Sequence, residues 1–240
     1  MYFADIHCHI LCGVDDGAEN EAEMYDMLDC AYNAGVRMLC ATPHYDPDLF
    51  PHTKEEENLA FEALLRYAEA KYPDLRLFHG NEVFVYSDIP SAVRENKASF
   101  LSQRGHVLIE FSPERPFKKI ADTVDRISNL GCIPVLAHIE RYHDLDAKNI
   151  QSLKDRGAII TVNAESITGI SGKRTLRTVH KYLKRGLIDI VTSDAHRAGT
   201  YMSLSVAFQK ISEELGGHAA QRLFYGRASE LLDATPPKKS

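Results

Sequence analysis

Nine side chains that favour metal ions stand just past the ends of predicted strands: His7, His9, Asp16, His44, Glu82, Glu110, His138, Asp194 and His196. A single HxH pair carries little information. Carboxylates and imidazoles recurring at one strand end after another carry much more, because an ordinary core has no use for them. A buried ionisable group must be paired or bound to metal to offset its desolvation. Imidazole and carboxylate donors suit Zn²⁺, Mn²⁺ or Fe²⁺. Nine are too many for one ion, so two or three ions sharing bridging carboxylates fit the set. Clustered divalent ions favour hydrolysis of phosphate esters, since they acidify bound water and clamp the attacking and leaving oxygens. The plainer reading, satisfied core or surface residues, suits His52, His79, His106, His143, His180 and His218. It also competes at Asp16, because Asp15-Asp16-Gly17 could be a simple turn.

The elements that must position these residues follow from apolar, β-branched runs alternating with helical patterns. Strands are expected near Tyr2–Ile10, Met38–Ala41, Arg76–Phe78, Val107–Phe111, Ile133–Ala137, Ala158–Val162 and Ile188–Thr192. Helices are expected near Glu19–Ala34, Lys54–Lys71, Ile89–Asn96, Ile120–Leu130, Ala147–Arg156, Thr175–Arg185 and Tyr201–Leu215. Helix stops show as Gly35, Gly131, Gly157 and Gly186, each leading into the next apolar run. Strict strand–helix alternation argues for a parallel sheet. Seven such units in 240 residues argue for a closed α/β barrel over an open sheet. In such barrels the active site lies at the C-terminal face of the strands. Alternation along a strand puts His7 with His9, and Asp194 with His196, on shared faces.

Arg141 lies three residues after His138, at the same predicted rim. A guanidinium fork there could grip a phosphoryl group and offset transition-state charge. The alternative is a salt bridge to Glu140 or Asp144. Tyr45, Phe84, Tyr86, Phe111 and Phe117 follow ligand-bearing strand ends and could line a cleft for an aromatic ring, or simply pack in the core. A cysteine phosphatase would need a Cys-x5-Arg loop. The residues six places after Cys8, Cys12, Cys30, Cys40 and Cys132 are Val14, Ala18, Val36, Asp46 and His138, so that scheme has no candidate. Gly169–Lys173 is neither a nucleophile elbow nor a P-loop and reads as a loop leading into a helix.

Composition narrows the class. The net charge is −6, which disfavours a nucleic-acid surface. No run of about 18 apolar residues could span a membrane. The N-terminus lacks a basic region and a small-residue cleavage site, so no signal peptide is expected. An odd number of scattered cysteines without CxxC suits reduced thiols in a cytoplasmic protein. One domain is expected over residues 1–234, with a flexible tail at 235–240.

The segments DIHCHIL, GVDDG, TPHY, GNEV, LIEFS, AHIERY and TSDAH, in that order, resemble the polymerase and histidinol phosphatase (PHP) family. More narrowly they resemble its bacterial protein-tyrosine-phosphatase branch, linked to capsule and exopolysaccharide synthesis. The resemblance runs from Ile6 to about Leu232; HxH alone is widespread, whereas GVDDG with HIERY is much more specific. It implies a distorted (β/α)7 barrel and a three-metal site, often manganese. All nine residues above are implied as ligands, and Arg141 as a contact to the substrate phosphate. Relatives carry a further arginine several residues beyond the DxH pair; here Arg197 follows His196 directly and is the candidate for that place. The implied partner is the phosphotyrosine tail of a bacterial tyrosine autokinase, to be hydrolysed with little sequence preference. A phosphotyrosine leaves as tyrosinate, with a pKa of about 10, so it needs little help from an acid; His143 is the weak candidate. The acidic net charge opposes a phosphorylated tail at long range, so attraction must be local. A small-molecule phosphatase acting on histidinol phosphate, and a noncatalytic metal-binding docking module, are the rival readings.

Overall fold

The computed structural model describes residues 1–85 and 98–233. The helix expected at Ile89–Asn96, the side chain of Tyr86 and the tail at 235–240 lie outside the described residues. Among the described residues there are nine strands: β1 (Phe3–Asp5), β2 (Val36–Ala41), β3 (His44–Tyr45), β4 (Arg76–His79), β5 (Glu82–Phe84), β6 (His106–Glu110), β7 (Ile133–Leu136), β8 (Ile159–Asn163) and β9 (Ile190–Thr192). They form a three-stranded sheet, β1-β2-β4, and a six-stranded sheet, β3-β5-β6-β7-β8-β9. Every pairing is parallel.

Helices begin and end where capping chemistry dictates. Asn20 accepts the Glu23 amide ahead of α1 (Glu21–Ala34), and Gly35 closes it in the left-handed region at φ 107°. Thr53 and Glu56 make a reciprocal capping box ahead of α2 (Lys54–Lys71). The predicted helices beyond these appear at Phe117–Asn129, Ala147–Asp155, Lys173–Lys184 and Met202–Leu215. Gly172 opens the third of them, so the GISGK segment does lead into a helix. The short helix Ala164–Thr168 and the helical run over 217–232 were not expected. The first has fewer than two turns and so too little periodicity to read; the second is interrupted by a π-helical segment, Arg222–Gly226, which breaks the 3.6-residue period.

The strands expected at Met38–Ala41 and Arg76–Phe78 appear as β2 and β4, and each is followed, after a short break, by a strand that was not expected, β3 or β5. Pro43 has no amide to extend β2; its carbonyl instead accepts the Glu82 amide at 3.1 Å and Asn81 Nδ2 at 3.2 Å. A Cβ on Gly80 would sit 2.8 Å from Leu101 Cδ2 and 3.3 Å from the Leu101 backbone, so a larger residue there would require Leu101 to shift. Beyond the breaks, His44 pairs directly with Glu82 across β3 and β5. The first run is also shorter than expected. Past Asp5 a side chain replaces the ladder: Thr42 Oγ1 accepts the Cys8 amide at 3.0 Å, and the Cys8 carbonyl accepts the Thr42 amide at 2.9 Å. On its other side this stretch meets the segment after β9 through an isolated parallel bridge, Cys8 to Ala195.

Side chains alternate between two buried clusters. Val107, Ile109, Leu136, Ile160 and Val191 face the helices. Leu108, Val135, Ala137, Ile159 and Ile190 face a second cluster, together with Ala4, Ile6, Met38 and Cys40, where Ala228, Leu231 and Leu232 of the last helix also pack. The period of two carries that second face into the site: Glu110 stands two residues past Leu108, and His44 four past Cys40.

Glu57, on the buried side of α2, is a carboxylate in this core. His52 Nε2 lies 3.0 Å from its Oε2, which also accepts from Asn81 Nδ2 at 3.0 Å; His79 Nε2 lies 2.6 Å from Oε1. Burial pushes the carboxyl pKa up, but these three partners outweigh it and hold it down to about 2. A depressed folded value means the stabilisation is present above the unfolded value near 4.5 and is lost as pH falls toward 2. Glu57→Gln should therefore lower stability by on the order of 3 kcal/mol at neutral pH. Urea denaturation should show that difference from the parent protein shrinking below pH 4.5.

Candidate metal centre

All nine residues meet at one place, at or beyond the ends of β1, β2, β4, β6, β7 and β9, with His44 and Glu82 opening the short strands β3 and β5. Glu82, buried at the start of β5, lies at the middle. Its Oε2 is 3.1 Å from His7 Nε2, 3.3 Å from His9 Nε2 and 3.3 Å from His44 Nδ1. Its Oε1 is 3.0 Å from His138 Nε2. Asp194 Oδ1 closes the inner group, 3.3 Å from His7 Nε2 and 3.5 Å from His9 Nε2. Glu110 borders it, 3.4 Å from His138 Nε2. The outer group is Asp16, whose Oδ1 is 3.3 Å from His196 Nε2 and 3.7 Å from His44 Nε2. Four overlapping sets have donor atoms close enough to share an ion: His9, Asp16, His44 and His196; His7, His138 and Asp194; His7, His9 and Glu82; His44, Glu82 and Glu110.

The donor chemistry fits divalent cations. His7 Nε2 and His9 Nε2 face one another at 3.3 Å, an arrangement two lone pairs would avoid without a proton or a cation between them. Buried Asp194 Oδ1 has no hydrogen-bond partner in the protein. With only protons in place, the groups hold each other charged. Burial opposes it, but Asp15, Asp194 and Glu82 raise the His9 pKa well above the usual histidine value. Burial likewise opposes ionisation of Glu82 and Asp194, yet the histidines about them hold both well below the carboxylate range. Glu110 differs: burial and the Glu82 charge lift it to about 7.

Sequence reasoning overlooked the residues that orient this set. Asp15, the first acid of GVDDG, has a fully buried side chain. Its Oδ2 lies 2.7 Å from His9 Nδ1 and accepts the His44 amide at 3.0 Å, while Oδ1 accepts the Gly17 amide at 2.9 Å. A carboxylate at Nδ1 sets the tautomer that turns the His9 Nε2 lone pair toward the cluster. The Asp15-Asp16-Gly17 segment is thus both a turn and part of the centre. Gly17 abuts His9, where a Cβ would come within 1.8 Å of the carbonyl oxygen. Asn163, at the end of β8, donates from Nδ2 to Asp194 Oδ2 at 2.8 Å. It ends the one predicted strand run that had yielded no site residue, and the strand-end rule itself could have flagged it. His138 at φ 30° and Asp194 at φ 52° are the non-glycine residues with positive φ among those described. Such backbone is costly and concentrates at functional sites.

Arg141 ends a 3₁₀ turn, Ile139–Arg141, at the rim. Its Nη2 donates to Asp194 Oδ2 at 2.5 Å, and its Nη1 is 3.9 Å from Glu110 Oε1. The two acids expected as its alternatives are engaged elsewhere: Glu140 accepts from the Asn163 amide and Ser166 Oγ, and Asp144 accepts the Phe117 amide. The side chain is still 47% exposed, and with His143 it borders a cavity of about 780 Å³. Arg197 stands beside His196, but its Nη1 donates to the carbonyls of Asp16, Gly17 and His196 at 3.0, 2.7 and 2.6 Å, bracing that loop. Of the aromatic candidates, Phe111 is buried against Tyr142, while Tyr45, Phe84 and Phe117 are partly exposed.

Parallel strands that gather carboxylates and imidazoles at their C-terminal ends define a class of metal-site α/β proteins. Within it, residues 3–233 match the family described as capsular polysaccharide synthesis, CpsB/CapC, and the chain belongs to that family. It is 28% identical over 238 residues to the tyrosine-protein phosphatase CpsB of Streptococcus pneumoniae, covering 95% of this chain and 97% of that protein. It is 28% identical over 202 residues to the tyrosine-protein phosphatase YwqE of Bacillus subtilis strain 168, covering 82% and 78%. A solved structure from work on YwqE and CpsB, described as unique metal-dependent tyrosine phosphatases, superposes with a TM-score of 0.87 at 26% identity, over 98% of this chain and all of that one. This is the branch that the sequence motifs resemble.

If Asp15 sets the donor atom of His9, Asp15→Asn should weaken manganese binding about 10- to 100-fold, the usual scale for losing such a partner, with the fold retained. Ions must displace the proton that the raised His9 holds, so affinity should also fall as pH drops from 8 to 6. Calorimetric titration of the chelator-treated protein at several pH values measures both.

Proposed function

We propose that this chain is a metal-dependent protein-tyrosine phosphatase that dephosphorylates a bacterial tyrosine autokinase controlling capsular or exopolysaccharide synthesis. The observation that carries the reading is the convergence of nine metal-favouring side chains with an exposed arginine at their edge, in a chain that aligns along 95% of its length with CpsB. Two to three ions per chain, Mn²⁺ most suitably, would be held by His7, His9, Asp16, His44, Glu82, Glu110, His138, Asp194 and His196. The overlap of the four donor sets at His7, His9, His44 and Glu82 supports sharing between adjacent ions.

Divalent ions, when bound, supply Lewis acidity toward water and the phosphoryl oxygens. The chain's own residues do the rest. Arg141 offers its free guanidinium face to the nonbridging oxygens, held in place by Asp194. Asn163 and Arg141 together fix the Asp194 carboxylate. Arg197 keeps the Asp16 loop against the cluster and is the second candidate for contact with the phosphoryl group. The tyrosinate departs without strong protonation, since its pKa is about 10.

The fold we assign is a distorted (β/α)7 barrel forming one domain over residues 1–234. The support is the order of pairing. β2 runs on into β3 and β4 into β5, and backbone bonds from Asp194 to His7 and from His9 to Ala195, each 2.9 Å, join the last strand to the first. We place the protein in the cytoplasm, where such a kinase tail would be reached; among the described residues no helix is long and apolar enough to cross a membrane.

Arg141→Ala should cut kcat/KM for a phosphotyrosyl peptide about 10²-fold or more while metal content stays nearly constant. A variant that loses its ions would make Arg141 a structural partner of Asp194 and nothing more. His7→Ala or Asp194→Ala should abolish turnover, and a chelator should do the same until Mn²⁺ is returned. The substrate is decided by comparing unrelated phosphotyrosyl peptides, a phosphoseryl peptide and histidinol phosphate. A preference above about 10²-fold for histidinol phosphate, near 2.7 kcal/mol, would overturn the protein-phosphatase reading.

A further inference from the structure

The segment between β3 and α2 is fixed at both ends and carries two apolar side chains at its crest. Asp46 is buried, and its Oδ1 accepts the amides of Asp48 and Leu49, each at 3.2 Å. Its carbonyl accepts the amides of Leu49 at 3.2 Å and Phe50 at 2.7 Å. At the far end the His52 amide donates to the Phe50 carbonyl at 2.9 Å, and the His52 ring is held by Glu57. The crest is therefore a built turn. It leaves Leu49 65% exposed and lays the Phe50 ring parallel to His44, centroids 5.1 Å apart with 3° between planes. His44 in turn reaches Glu82 and Asp16. Phe50, held this firmly against a side chain of the metal centre and with exposed Leu49 next to it in the chain, borders the place where a phosphate ester would sit.

We infer that Phe50 and Leu49 form an apolar rim that receives the phenyl ring of phosphotyrosine and so selects aryl over alkyl phosphates. The inference rests on the phosphatase reading above and adds the residues that make it a tyrosine phosphatase. The phosphoryl group is common to phosphotyrosine and phosphoserine, so the ions and Arg141 cannot tell them apart in binding. The leaving-group pKa separates their rates, but only a contact beyond the ester oxygen can separate their affinities. The serine side chain ends too close to phosphorus to reach a rim outside His44, whereas a tyrosine ring extends past it. A ring against an aromatic face with an aliphatic neighbour gains both apolar burial and ring–ring contact. The rim reads the ring alone, which suits hydrolysis of several tyrosines whatever their neighbours.

Binding of phenylphosphonate and methylphosphonate to the manganese-loaded protein, measured by calorimetry, isolates the rim from catalysis. The parent protein should bind phenylphosphonate at least tenfold more tightly than methylphosphonate. Phe50→Ala should bring that ratio down to about twofold, Leu49→Ala should reduce it by less, and Phe50→Leu should retain part of it. Equal binding of the two ligands by the parent protein would overturn the inference, as would a ratio that survives Phe50→Ala. So would a parallel loss of both ligands in Phe50→Ala, since the ring would then merely support His44. The titration needs no turnover. If phosphotyrosyl peptides were not hydrolysed, the phosphatase reading would fall while the ratio still decided the rim.

Discussion

Burying Glu82 is the constraint on which the rest of this molecule depends. A lone carboxylate that far from water would be costly enough to stay protonated. It remains an anion because four imidazoles crowd its two oxygens within 3.3 Å. Those imidazoles come from different strand ends and need orienting in their turn. Asp15 sets His9 and the His44 backbone, and Asn163 with Arg141 sets Asp194. The interrupted strands, the GVDDG turn and the HIERY turn all serve that arrangement. Remove the need to hold one charged oxygen pair in the interior and none of these local departures from regular structure would have a reason.

The same constraint accounts for the strained backbone. A regular strand sends successive side chains to opposite faces, so it cannot supply two neighbouring groups to one centre without a bend. His138 and Asp194 take left-handed conformations immediately after β7 and β9. This turns the chain away from the sheet and leaves the donor atoms facing inward. The Asp194 amide still bonds to the His7 carbonyl, and the His138 amide to Thr161 Oγ1, so the bends leave neither backbone amide unpaired.

Much of this was legible in the sequence. Among the described residues, the alternation of apolar runs and amphipathic segments located most strands and the long helices to within a few residues, the first strand excepted, because burial on one face imposes a period that survives in the chain. The convergence of the nine residues was readable because carboxylates and imidazoles at strand ends violate that pattern. The motif order added the family. What escaped was whatever depends on geometry across the chain. Asp15 and Asp16 are identical in type, and only the fold shows that the first points into the core and the second out. The breaks at Pro43 and Gly80 look like ordinary loop residues until the approach of Leu101 is seen. Arg197 looked like a phosphate ligand because it follows His196, yet the structure occupies much of its guanidinium with loop carbonyls.

The two breaks lie along a seam. On one side is the three-stranded sheet; on the other, the six-stranded sheet that begins with β3. His7 and His9 extend from a strand of the first, while His44, Glu82, Glu110 and His138 belong to, or directly follow, strands of the second. An ion shared by donors from both would tie the sheets together like a rivet. Such a ligand binds only the assembled protein and so resists its coming apart. An ion in this place would then be a fastener of the architecture as well as an instrument of its chemistry, and the amount of metal available to a cell would govern how much of this protein survives in it.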